Sequence, residues 1–285
     1  EIAYYSRDIW EGTTRTNLSP AAAGFWNIVD RAPQPKWTHV FSSGTDHPLY
    51  QQMLKRGSRL TTSAGAQAEP VAHCAVTGLL TLARRFPHYF AAQSRGEWAP
   101  LPAADVPDLR GQTAIIIGMG NIGSVIARCL QAFGVRTVGI RRSLTPTPHF
   151  DEVITLAHVD ERLPTCDWLV LACPLVAETR GLMDARRLAL LPKSSGLVNI
   201  ARGEIVDEAA LARALTEGAL MGAFLDVFLA EPLPSDSPLW KLPNVIVSPH
   251  NAGASSGTYA RGVEIFLRNL ERYLRNEPME NEAQC

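Results

Sequence analysis

From residue 109 onward, short runs of β-branched and apolar residues alternate with stretches whose apolar positions recur at helical spacing. That alternation is the mark of βαβ units and a parallel sheet. It predicts strands over 113–117, 136–140, 152–154, 168–172, 196–200, 222–227 and 245–247, with helices over 122–133, 184–191 and 207–217. Seven strands joined by crossovers make a doubly wound sheet. Ahead of this block the pattern predicts strand-like Ile2-Ala3-Tyr4-Tyr5, two further strands at 38–41 and 59–62, and a long helix over 69–86. Pro100, Pro102 and Pro107 punctuate 96–107, where an interdomain connection is expected. Past the last strand, Phe266, Leu270 and Leu274 sit at helical spacing in one amphipathic helix over 258–276. The predicted organisation is a domain over 101–254 inserted between two parts, 1–100 and 255–285, of a smaller domain. A cleft between the two is the expected site.

Composition narrows the class. A chain of 285 residues exceeds what one core usually serves, in keeping with two domains. Charged residues make up 19%, and 27 Lys+Arg stand against 28 Asp+Glu, so neither nucleic acid nor an anionic membrane is an expected partner. The most apolar stretches, 76–83 and 168–177, fall far short of the roughly 20 residues of a membrane span. Cys74, Cys129, Cys166, Cys173 and Cys285 form no CxxC pair and no zinc spacing; they read as free thiols in a reducing cytoplasm, with no metal site. The chain enters its first strand directly from Glu1, and an omitted preceding segment is expected.

One turn stands out. Gly118-Met119-Gly120-Asn121-Ile122-Gly123 follows the apolar strand 113–117 and opens a helical pattern. In that context Gly118 permits a tight turn, Gly120 lets a pyrophosphate approach the backbone, and Gly123 lets the helix pack on the strand. Free N–H groups at the helix start would hold the phosphates. At the end of the second strand an NAD site has a carboxylate for the adenosine ribose, yet this chain has Arg141, Arg142 and Ser143, with no Asp or Glu between Gly139 and Pro148. Two guanidiniums and a hydroxyl suit a 2′-phosphate, which favours NADP(H) over NAD(H). The alternative is that both arginines are solvated surface charges.

Three later segments each put a polar group at a predicted strand's carboxyl end, where open α/β sheets bind ligands. They are Asn199-Ile200-Ala201-Arg202-Gly203, Asp226 through Glu231-Pro232, and Ser248-Pro249-His250. Reducing a 2-keto acid needs a cation to hold the carboxylate and polarise the carbonyl, and an acid to protonate the oxygen. Arg202 and His250 are of those types. A carboxylate such as Glu231 beside an imidazole would orient it and favour its protonated form. Taken singly, each also suits a plainer role: Arg202 in a surface ion pair, Glu231 as a solvated turn residue, His250 as a strand-end cap.

Together these segments resemble the D-isomer-specific 2-hydroxyacid dehydrogenase family. The likeness extends to Ser42-Ser43-Gly44-Thr45-Asp46, 65–69, Cys173-Pro174-Leu175 through Thr179, Asn199 to Asp207, 222–232, and Pro238-Leu239-Trp240 through Gly253. It implies an α/β fold in which a Rossmann-type nucleotide domain, a doubly wound parallel sheet, is inserted into a smaller flavodoxin-like α/β substrate domain. By the same resemblance the enzyme transfers a hydride between NADP(H), or NAD(H), and a small 2-keto acid/D-2-hydroxy acid pair such as glyoxylate or hydroxypyruvate. Arg202 then binds the substrate, His250 is the acid/base and Glu231 its partner. Asn121 and Ile122 contact the pyrophosphate; Cys173, Pro174 and Thr179 line the cofactor; Ala201 and Asp226 approach the nicotinamide amide. Backbone N–H groups of Ser43 and Gly44 hold the substrate carboxylate. Family members are usually homodimers packed through the nucleotide domains, the 69–86 helix contributing. Arg141 departs from the acidic residue of NAD-preferring members, and the family's usual first βα segment is short or absent before Ile2. The family also contains cofactor-sensing transcriptional corepressors, which leaves a scaffold as the alternative to an enzyme.

Overall fold

The computed structural model describes residues 1–13, 17–31 and 35–283; Cys285 lies outside them. In chain order the elements are β1 (Ile2–Tyr5), α1 (Arg7–Trp10), α2 (Pro20–Arg31), β2 (Trp37–Val40), α3 (Pro48–Lys55), β3 (Arg59–Thr62), α4 (Ala68–Ala83) and α5 (Phe86–Ser94). They continue with β4 (Thr113–Ile117), α6 (Asn121–Ala132), β5 (Arg136–Ile140), β6 (Glu152–Ile154), α7 (Val159–Arg162), β7 (Trp168–Leu171), α8 (Ala185–Leu188), β8 (Gly196–Asn199), α9 (Glu208–Thr216), β9 (Gly222–Leu225), β10 (Val245–Val247) and α10 (Thr258–Leu274). Contacts divide the chain into one unit of Glu1–Ala68 with Ala254–Cys285 and another of Glu69–Gly253.

The first unit is built on a parallel sheet in the order β1-β2-β3. Its core gathers Tyr5, Val40, Tyr50 and Leu60 with Trp26 and Val29 of α2. Pro20 begins α2, and Ala22, Trp26 and Val29 return to the buried side at helical spacing. In α3 Pro48 stands in the first turn, and Tyr50, Met53 and Leu54 are buried. Although 254–285 lies far along the chain, α10 packs here: Phe266 stacks on Tyr4, with ring centroids 4.4 Å apart and planes 4° from parallel.

The second unit carries a seven-stranded, all-parallel sheet in the order β10-β9-β8-β7-β4-β5-β6. Starting from β4, the strands run outward on one side and then back across to the other, the doubly wound order with its reversal at β4. Successive residues of each strand feed opposite faces. Ile115, Ile117, Leu169, Leu171 and Leu197 join the core under α9, whereas Ala114, Ile116, Trp168, Val170 and Val198 join Val71, Ala72, Ala75 and Leu79 of α4. That packing decides the boundary. The connection expected at 96–107 falls inside this unit, because the apolar face of α4 is buried against the sheet rather than with the strands that precede it. The single helix expected over 69–86 is also divided. Arg85 adopts a left-handed φ of 59°, and a new helix begins at Phe86 with Pro87 in its first turn.

Candidate active site

The glycine turn lies where β4 passes into α6, at the reversal of strand order. Gly118 has φ +106°, and a Cβ there would lie 2.5 Å from the carbonyl oxygen of Ala172. A Cβ on Gly123 would fall 1.9 Å from the Gly118 carbonyl oxygen, so only glycine lets α6 approach the turn this closely. A Cβ on Gly120 would meet nothing within 4 Å. No side chain caps the start of α6. An open face in front of uncapped N–H groups at Asn121, Ile122 and Gly123 fits the pyrophosphate of a dinucleotide.

The rim beyond β5 differs from the sequence reading in one respect. Arg141 is half-buried and its Nη1 donates to Thr147 Oγ1 at 3.1 Å. Ser143 Oγ accepts from Thr145 Oγ1 at 3.4 Å. Arg142 is exposed, with Nη2 3.7 Å from Glu178 Oε2. The stretch 139–148 contains no carboxylate, but the fold brings one to its edge from the loop after β7. That loop holds Cys173, Pro174 and Thr179. Cys173 is buried, and burial pushes its thiol up to about 11. Pro174 is exposed. The Thr179 hydroxyl donates to Pro174 O at 2.7 Å and accepts from Val176 N at 2.9 Å, closing the loop on itself.

Arg202, Glu231 and His250 follow β8, β9 and β10, three neighbouring strands. Asn199, the last residue of β8, clamps the turn after it: Oδ1 accepts from Ala201 N at 3.1 Å and Nδ2 donates to Arg202 O at 3.1 Å. Arg202 is half-buried and donates through Nη1 to Ala201 O at 2.7 Å. Glu231 uses both oxygens. Oε1 accepts from Phe228 N at 3.0 Å, and Oε2 lies 2.7 Å from His250 Nδ1. With Nδ1 thus engaged, Nε2 is the ring nitrogen left to face a reactant. Burial pushes the Glu231 carboxyl up; the hydrogen bond and charge of His250, the Phe228 N–H and the Arg202 charge outweigh this and hold it below its ordinary value.

His250 takes a left-handed φ of 50°, and its N–H donates to Asp226 O at 2.8 Å. The Asp226 side chain is 2% exposed. It accepts from Ser248 Oγ, from Asn251 N at 2.9 Å and from Ala252 N at 3.1 Å. Asp226 therefore ties down the loop that presents His250, a positioning role that the sequence reading did not foresee for it. Ser43 and Gly44 belong to the first unit, in the turn after β2 that Ser42 Oγ closes onto Gly44 O at 3.1 Å.

Residues 76–252 match the model of the D-isomer specific 2-hydroxyacid dehydrogenase NAD binding domain. Over 259 residues the chain is 34% identical to a glyoxylate reductase of Korarchaeum cryptofilum, covering 88% of this chain and 76% of that one. A glyoxylate/hydroxypyruvate reductase of Arabidopsis thaliana is 32% identical over 84% of this chain and 73% of its own. Among solved structures, an NADPH-dependent glyoxylate/hydroxypyruvate reductase from Sinorhizobium meliloti, in complex with NADP and sulfate, superimposes with a TM-score of 0.83. It is 27% identical, and the match covers 99% of this chain and 97% of that one.

Proposed function

Because this chain belongs to the D-isomer-specific 2-hydroxyacid dehydrogenase family, we propose that it reduces a small 2-keto acid of the glyoxylate or hydroxypyruvate kind, with NADPH preferred to NADH. The protein is an NAD(P)-dependent oxidoreductase of keto and hydroxy acids. The observation that carries the assignment of residues is the 2.7 Å contact of His250 Nδ1 with Glu231, on the strand ends next to Arg202. When bound, the nicotinamide supplies or accepts the hydride. His250 holds the proton on Nε2 for the substrate oxygen, and Glu231 fixes the ring. Arg202 binds the carboxylate and polarises the carbonyl. Backbone N–H groups of Ser43 and Gly44, in the first unit, are carboxylate donors in this reading. Asn121 and Ile122 meet the pyrophosphate; Cys173, Pro174 and Thr179 border the cofactor; Ala201 and Asp226 lie towards its nicotinamide.

Arg141, Arg142 and Ser143 support the choice of NADPH, since a 2′-phosphate matches cations and a hydroxyl where a ribose would need a carboxylate. Among the described residues no helix is long and apolar enough to cross a membrane. A homodimer in the cytoplasm belongs to the same proposal, and light scattering of the purified protein checks its assembly. The test of function is a panel of 2-keto acids assayed with NADPH and with NADH. Fastest turnover of glyoxylate or hydroxypyruvate with NADPH is expected. Turnover confined to long-chain keto acids would reject the substrate class, and equal kcat/KM for the two cofactors would reject the cofactor choice alone.

A further inference from the structure

The sheet order β7-β4-β5 sets the loops after β5 and β7 on either side of the strand that ends in the glycine turn. One ion pair joins those loops: Arg142 Nη2 to Glu178 Oε2, 3.7 Å. Both flanks are anchored. Thr179, next to Glu178, is 9% exposed and spends its hydroxyl on Pro174 O and Val176 N. Arg141, next to Arg142, is held by Thr147. The two arginines are therefore unlike. Arg141 is tied to a neutral hydroxyl, whereas Arg142 already has an anion beside it.

We propose that Glu178 is a cofactor-specificity residue, which sets the margin of NADPH over NADH by competing with the adenosine 2′-phosphate for Arg142. The proposal rests on the reading that Arg141 and Arg142 meet that phosphate. A 2′-phosphate brings close to two negative charges. It must either draw Arg142 away from Glu178 or sit near the carboxylate, and each lowers its affinity. A dinucleotide without that phosphate is indifferent. Side-chain exposures of 81% for Arg142 and 62% for Glu178 put the pair largely in water, so its influence is severalfold rather than decades and falls with added salt.

The test is calorimetric titration of adenosine 2′,5′-bisphosphate and adenosine 5′-monophosphate into the wild-type protein and the Glu178→Gln, Arg142→Gln and double variants, with thermal melts to check folding. Glu178→Gln is expected to tighten the bisphosphate by roughly two- to fivefold, the measured range of exposed pairs. The monophosphate should not change. In the Arg142→Gln background the gain should disappear. An unchanged ratio of the two affinities, or a gain that survives without Arg142, overturns the proposal. Arg141→Asp separates this from the underlying reading. If that variant binds the bisphosphate as wild type does, the phosphate site itself is misassigned; if it binds weakly while Glu178→Gln changes nothing, only the role of Glu178 falls.

Discussion

Replacing Glu231 by glutamine changes one atom and divides two hydrogen bonds. The carboxylate accepts from Phe228 N at 3.0 Å through one oxygen and meets His250 Nδ1 at 2.7 Å through the other. Glutamine has a single acceptor for those two donors. If its oxygen stays on Phe228, its NH₂ faces Nδ1, and the hydrogen bond that fixes the ring is lost. A hydrogen bond to a charged group contributes about 1.5 to 3 kcal/mol. The His250 side chain is 48% exposed, so solvent screening puts the effect at the lower end, about 1.5 kcal/mol, or roughly tenfold in rate. In the proposed mechanism the ring presents Nε2 to the substrate oxygen, and that orientation depends on Glu231 holding Nδ1. Glu231→Gln should lower kcat/KM about tenfold. The acid side adds an independent mark. The Glu231 carboxyl is held below its ordinary value despite burial, so the wild-type pair loses its anion only below the ordinary carboxyl range; the variant has no such step. The assay is kcat/KM for the keto acid at saturating reduced cofactor, across pH, for wild type and variant. Normalised profiles that overlay would refute the pairing.

Arg202→Lys keeps the charge but loses the planar fork, and kcat/KM should fall roughly a hundredfold or more while NADPH binding, followed by fluorescence, is unchanged; wild-type kinetics would remove Arg202 from the site. Arg141→Asp should flatten or reverse the preference for NADPH without much change in kcat at saturating cofactor, and a preference left intact would assign the specificity elsewhere. His39 gives the fold a pH dependence of its own: it is fully buried between Thr61 Oγ1 at 2.7 Å and Ser63 Oγ at 3.0 Å, and burial pushes it down to about 4 from 6.5. The unfolded chain binds a proton in that window and the folded one does not, so stability falls with pH from about 6.5 towards 4, by on the order of 3 kcal/mol. Urea titrations of wild type and His39→Gln measure it, and equal pH slopes for the two would count against the assignment.

The five inner strands of the large sheet were legible because strands buried on both faces read as apolar runs, and the part-exposed edge strands β6 and β10 because each is a short run rich in β-branched residues. The differences at their ends are short: the predicted strand 222–227 stops at Leu225, where Asp226 turns its carboxylate to the His250 loop. The helices α2 and α3 were legible in principle. Pro20 and Pro48 signal their starts, and Trp26 and Val29, or Tyr50 and Leu54, recur on one side; each is short, and aromatic residues blur the period. Of the site, the types of Arg202, Glu231 and His250 and their places at strand ends followed from the pattern. What did not follow are contacts between residues far apart in sequence: Glu178 reaching Arg142, and Asp226 holding Ser248, Asn251 and Ala252. Neither has a local signature, since each depends on which strands are neighbours.

The order of the strands also bears on how the protein can vary. Arg141 and Arg142 follow β5, while Arg202, Glu231 and His250 follow β8, β9 and β10 across β4 and β7. Three to five inter-strand steps at the usual ~4.8 Å separate the two groups, about 14 to 24 Å. Substitutions that far apart, sharing no partner, combine additively in free energy. On the proposed assignments, a lineage, or an engineer, can therefore exchange one dinucleotide for the other after β5 while leaving the proposed proton-transfer residues after β9 and β10 under separate selection.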